Sequence, residues 1–218
     1  MKLPLWMCLF GLLFPNTLTA NVISITDWLD TDTPTANYFY SIDDSNAGRF
    51  SFDISVPVMD ADILGIAFAI EGTTYNANTI NIQNFTAIAK DGSQSTSPTG
   101  AFYMSSGGNG SSCGAGCNFN GISTPSLFDV ILRVGSNGGS NSNWIHTIRF
   151  DIDALGLTLA DFTAVGVRSQ SVLGNNSDKA YALTAASTSS TPISEPSTAF
   201  LLFFPLLLIT LRLKPRFI

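Results

Sequence analysis

Alternation with a period of two is the feature that most constrains this chain. In residues 49–58, Phe50, Phe52, Ile54, Val56 and Val58 take every second position, with Arg49, Ser51, Asp53 and Ser55 between them. Successive side chains of a strand point to opposite faces, so such a segment buries one face and wets the other. Phe128, Val130, Leu132 and Val134 repeat in the same way against Asp129, Ile131 and Arg133, and residues 144–152 repeat against Thr147, Arg149 and Asp151. Less regular candidates cover 22–26, 38–42, 63–70, 79–89, 164–172 and 180–184. Helical periodicity is nearly absent, and only 153–162 suggests a single turn. Clusters of Gly, Asn, Asp and Ser at 43–48, 71–78, 136–143 and 174–178 separate the runs. The pattern predicts an all-β fold, an antiparallel β-sandwich of about nine strands. It spans 21–184, carries a Gly/Ser-rich insertion at 91–126 and has no internal repeat.

Both ends of the 218-residue chain depart from this pattern. Lys2 precedes an apolar run over 3–14, and the polar stretch after Pro15 ends in Ala20, which reads as a signal peptide at 1–20. Cys8 lies inside the apolar run and leaves with it. At the other end, uncharged residues 199–211 are followed at once by Arg212, Lys214 and Arg216. That length gives about 20 Å of helix, against about 30 Å for a bilayer core, so it is a short C-terminal transmembrane helix. Pro205 interrupts it. The basic cluster holds the C-terminus in the cytoplasm and places the domain outside. Residues 185–193 are rich in Ser and Thr, lack a core pattern and form a linker.

Only 12% of residues are charged, and the ends take several of the cations with them. Residues 21–195 hold six Lys/Arg against sixteen Asp/Glu, a formal net charge of −10. Such a domain lacks the basic patch that nucleic acid or anionic lipid requires.

Ser194-Glu195-Pro196-Ser197-Thr198, the apolar segment 199–211 and the basic tail Arg212, Lys214 and Arg216 together resemble the PEP-CTERM sorting signal of Gram-negative bacteria, with Ser where the name has its first Pro. The resemblance covers about the last 25 residues, 194–218. It implies export and an inner-membrane-anchored precursor held through 199–211. It further implies recognition and cutting near the motif by an exosortase-type membrane protease, then a cell-surface or extracellular location beside exopolysaccharide. It assigns no activity to the domain. Residues 164–172 with Ser177-Asp178-Lys179 also look like the last strands of sandwich domains that accompany this tail.

Chemistry is sparse. His146 is the only histidine, which excludes a multi-histidine metal site and suits a structural position at a strand edge or under a loop. No nucleophile elbow, metalloprotease helix or phosphate-binding loop occurs. Among the crowded N-terminal carboxylates, the i, i+2 pairs Asp30/Asp32 and Asp60/Asp62 are the candidates for calcium, the one cofactor the sequence leaves open. Cys113 and Cys117, in C-G-A-G-C, outlast removal of the signal, and an exported location favours a disulfide between them.

The expected function is therefore non-enzymatic, in a surface or matrix protein associated with exopolysaccharide or biofilm. Two other readings stay open. A carbohydrate-binding module would use exposed aromatics, with Trp28, Tyr38, Tyr40, Tyr75 and Tyr103 as candidates and polysaccharide as partner. A secreted glycan-active enzyme would need two carboxylates roughly 5–9 Å apart in a cleft.

Overall fold

In the computed structural model the described residues are 21–189, apart from 31, 47, 59, 72–79, 104–109, 115, 123–127, 137–142, 154–155, 175 and 185–187. They fall within one compact unit, Ala20–Thr191. The expected signal peptide at 1–20, linker residues 185–187 and 190–193, the sorting motif, the membrane segment and the basic tail lie outside the described residues. Among the described residues no helix is long and apolar enough to cross a membrane.

The chain is all-β. Its strands are β1 (Val22–Ile25), β2 (Leu29–Asp30), β3 (Phe39–Asn46), β4 (Arg49–Ser55), β5 (Asp62–Ile70), β6 (Asn81–Ala89), β7 (Gln94–Ser95), β8 (Gly100–Tyr103), β9 (Val130–Arg133), β10 (Ile145–Asp153), β11 (Phe162–Val172), β12 (Asn176–Leu183) and β13 (Thr188–Ser189). One sheet has the order β13-β1-β3-β4-β10-β6-β7 and the other β2-β12-β11-β5-β9-β8. Every pairing is antiparallel. The expected turn near 153–162 is a 3-10 turn at Leu159–Asp161.

β4 shows how the alternation builds the core. Phe50, Phe52 and Ile54 are buried while Arg49, Ser51, Asp53 and Ser55 stay half-exposed. Opposite Phe52, the register of β10 places Phe150, and the two rings stack with centroids 4.5 Å apart. From the second sheet, Phe68 of β5 and Phe162 of β11 reach the same ring at 5.2 and 5.6 Å. The two sheets thus share one core, in a sandwich-like arrangement. Burying each Phe contributes about 1.5–3 kcal/mol by transfer alone.

The segment expected as an insertion forms part of the fold. β7 and β8 extend the two sheets at their edges, and Cys113, Cys117, Phe119 and Ile122 pack against the outer face of the second sheet. There Cys113, Cys117 and Phe119 pack with Leu64, Ala67, Ala69, Phe128, Ile131 and Ala164. This cap buries the second face of β5, so all nine of its residues are buried rather than every other one. Phe128 joins the cap cluster instead of the face of Val130, Leu132 and Val134, which departs from the alternation expected for 128–134.

Two glycines make room for the cap. A Cβ on Gly65 would stand 3.0 Å from Cys117 Sγ, and one on Gly166 only 2.6 Å from Phe128 Cζ. Gly166→Ala is expected to overpack this contact and cost about 1–3 kcal/mol. Urea unfolding measures it, and an unchanged midpoint would mean that the cap does not bear on β11.

Candidate functional site

A groove of about 460 Å³ lies between the turn that joins β1 to β2, Thr26 to Trp28, and the segment leading into β3, Thr35 to Tyr38. The short β2 and the irregular 32–38 stretch leave it open, because neither side continues as a regular ladder. Its side chains are fixed from beneath. The Trp28 indole Nε1 donates to the Tyr38 carbonyl at 3.0 Å, and the ring stands edge-on to Tyr38 with centroids 5.7 Å apart. The Ala36 N–H donates to Asp178 Oδ2 at 3.3 Å, and the Tyr38 and Ser169 hydroxyls are hydrogen-bonded to each other. Thr26, Asp27 and Asn37 are exposed at the rim.

Arg168 anchors this base. The register of β11 and β12 pairs Ser169 with Asp178, and the guanidinium Nη1 of Arg168 donates to both of their carbonyls at 2.8 Å. Burial lowers the Arg168 pKa, opposed chiefly by the negative charge of Asp32 and also of Asp178. Guanidinium keeps its proton in proteins, so a cation sits under the groove beside the buried Asp178. The sequence likeness had singled out Arg168 and Asp178 only as part of a strand pattern. What joins them is the register.

Asp32 faces Lys179 Nζ at 3.8 Å, Asp60 accepts from Asn37 Nδ2 at 3.2 Å, and the side chain of Asp30 lies outside the described part. Asp62 is buried, accepting from the Ile145 N–H at 2.8 Å and from Gln170 Nε2 at 2.7 Å. Among the described residues no three His, Cys, Asp or Glu side chains are grouped to hold a metal ion.

Of the aromatic candidates, Tyr38 and Tyr40 are buried, because alternation with Ile42 turns them to the core. Burial pushes the Tyr40 phenol far above its ordinary pKa. Tyr75 and the side chain of Tyr103 lie outside the described residues, which leaves Trp28 as the half-exposed aromatic of this set. Cys113 and Cys117 stand at disulfide distance, Cα atoms 5.0 Å apart, with positive φ at Gly114 and Gly116 closing the loop. Arg133 Nη1 donates to the Cys113 carbonyl at 3.3 Å and holds the cap to β9.

His146 is the second residue of β10, a strand in the interior of its sheet. A register shift between Ile145 and Thr147 breaks the alternation, so Ile145 packs on the main core and His146 does not simply continue the face of Ile148 and Phe150. Its Nδ1 is 2.9 Å from Thr147 Oγ1, and its carbonyl accepts from the Val56 N–H.

The outer face of the first sheet carries a polar ladder that sequence reading missed. Arg49 Nε donates to Asp153 Oδ1 at 2.8 Å, while Ser51 Oγ and Asn84 Nδ2 donate to Asp151 at 2.8 and 2.7 Å. The outward positions of the alternating strands contain these residues, but pairing them requires the β4–β10–β6 order.

Asp62 and Asp129 give a pH signature. Desolvation raises both pKa values, although hydrogen bonds from Ile145 and Gln170, and from Ile70, oppose it. A carboxyl with a raised folded pKa binds more protons folded than unfolded, so its stabilisation is complete below about pH 4 and is lost as pH rises through the folded value. The stability of the native chain relative to Asp62→Asn should therefore fall between pH 4 and 7. Urea midpoints across that window check the sign, and a difference that is flat or rises would contradict it.

Compared with protein-family models, curated proteins and solved structures, the chain gives no significant match in any of the three.

Proposed function

We propose that this is an exported, non-enzymatic surface or matrix protein of a Gram-negative bacterium, processed by an exosortase-type membrane protease and associated with exopolysaccharide. In this reading the two sheets form a β-sandwich, and residues 199–211 are a membrane helix until the tail is cut. The observation that carries it is the three-part order at 194–218: Ser194-Glu195-Pro196-Ser197-Thr198, an uncharged apolar run, then Arg212, Lys214 and Arg216. An apolar run worth about 20 Å of helix is a poor permanent anchor, which suits a segment destined for removal. Support comes from Cys113 and Cys117, whose disulfide spacing fits an oxidising compartment. The net charge of −10 over 21–195 suits a soluble surface domain.

Replacing Glu195-Pro196 with Ala-Ala is expected to trap the precursor in the inner-membrane fraction, while the native sequence yields a shorter product at the surface. Immunoblots of the separated fractions read this. The same product from both sequences would remove the motif from the account.

Carbohydrate binding by the domain is a second reading, and the groove at Trp28 favours it.

A further inference from the structure

We propose that the groove at Trp28 binds a neutral oligosaccharide of two or three rings. The proposal rests on the carbohydrate-binding reading of the domain and is independent of how the tail is sorted. A sugar ring offers a face of C–H groups and a rim of hydroxyls. It is held best by an aromatic side chain flanked by short donors and acceptors. The groove has that combination: the half-exposed Trp28 indole, with the Thr26 hydroxyl, the Asp27 carboxylate and the Asn37 amide at its rim. At about 460 Å³ it falls in the range of small-ligand sites, roughly 300–1,000 Å³.

Electrostatics narrow the class. The groove lining contains no Lys or Arg, the Arg168 guanidinium beneath it is turned to the Ser169 and Asp178 carbonyls and lies next to Asp178, Asp27 is exposed at the rim, and residues 21–195 carry a net charge of −10. Phosphorylated ligands and uronic acids are repelled, whereas neutral sugars bring no charge to oppose. The site is also preorganised. The indole N–H is already bonded to the Tyr38 carbonyl, Ala36 is tied to Asp178, and the Tyr38 hydroxyl is tied to Ser169. The aromatic platform therefore has little side-chain freedom to lose on binding, which favours a measurable affinity from a small contact.

The test is titration calorimetry on the full chain in a zwitterionic detergent free of sugar. The probes are trisaccharides of glucose, galactose, mannose and N-acetylglucosamine, with trigalacturonate as the acidic probe. At least one neutral trisaccharide should bind saturably and trigalacturonate should not. Trp28→Ala should weaken binding about tenfold or more, and Trp28→Tyr should restore most of it. Asn37→Ala removes an exposed side chain whose Nδ2 is bonded to Asp60 and whose Oδ1 remains for a ligand; it should weaken binding several-fold and, because that bond is at the surface, lower the melting temperature little, and it decides the matter should Trp28→Ala unfold. Absence of binding by all four neutral trisaccharides, equal binding of trigalacturonate, or binding unchanged in Asn37→Ala and in any folded Trp28→Ala would overturn the proposal. None of these results bears on whether the tail is cut, and an uncut tail would leave the groove proposal standing.

Discussion

Phe52→Ala is expected to lower the unfolding free energy by about 3–5 kcal/mol, the usual cost of removing a buried aromatic ring and leaving its cavity. Phe52 is the ring on which the two sheets meet. It stacks on Phe150 of its own sheet and touches Phe68 and Phe162 of the other, with Tyr40 edge-on at 6.2 Å. Those neighbours belong to different strands, so they cannot collapse into the gap together without shifting a sheet. A loss of that size is a large share of the roughly 5–15 kcal/mol that holds a typical domain together. Phe39→Ala is the control. That ring is 39% exposed, and its removal should cost only about 0.5 kcal/mol. Equal losses for the two variants in urea unfolding would mean that the sheets do not share the core described.

Arg168→Met should be comparably severe, at about 3–5 kcal/mol, for a different reason. The methionine fills most of the space but donates to neither carbonyl. The buried Asp178 also loses the cation beside it, and breaking a buried charge arrangement by removing one member leaves the other uncompensated. Arg149→Met provides the contrast, because Arg149 pairs with Asp53 at 2.9 Å on the surface. Exposed pairs contribute only about 0–1 kcal/mol. The account expects the first substitution to unfold the protein several times more readily than the second. Equal small losses would mean that water reaches Arg168 and that the base of the groove is not a buried node. A milder buried variant, Ser169→Ala, removes the hydroxyl partner of Tyr38 and should lie between them.

How much of this was legible in the sequence depended on whether a strand carried its own pattern. β4 announces itself because three buried apolar side chains alternate with polar ones, and the core rings Phe50 and Phe52 follow directly. The 38–42 segment leading into β3 was less clear, because apolar Phe39 stands between Tyr38 and Tyr40; the fold buries both tyrosines with Ile42 and leaves Phe39 exposed. β2, β7, β8 and β13 have two to four residues each and exist through pairing at sheet edges, so no local periodicity marks them. The cap was hidden for a related reason. Its Gly and Ser content reads as loop, and its anchoring comes from Cys113, Cys117 and Phe119 finding Gly65 and Gly166 on strands far away in the chain.

The groove was legible only in part. Trp28 was among the aromatic candidates, but nothing local says that Asp178 ties down Ala36, about 140 residues earlier in the chain. Asp62 shows the reverse: the i, i+2 spacing with Asp60 is visible in the sequence, but not that the fold buries Asp62 against the Ile145 amide and the Gln170 side chain and turns Asp60 to Asn37.

The central claim is that this two-sheet domain is exported, oxidised and released from its tail, and one measurement reaches all three. Intact mass spectrometry of the surface or extracellular protein, alkylated without reductant, reports both chain ends and the state of Cys113 and Cys117 together. The account predicts a chain that begins near Asn21, ends near the linker before residue 194, and carries no alkyl group on either cysteine. A mass that still includes residues 199–218 would contradict it, turning the tail into a plain membrane anchor and removing the protease from the account.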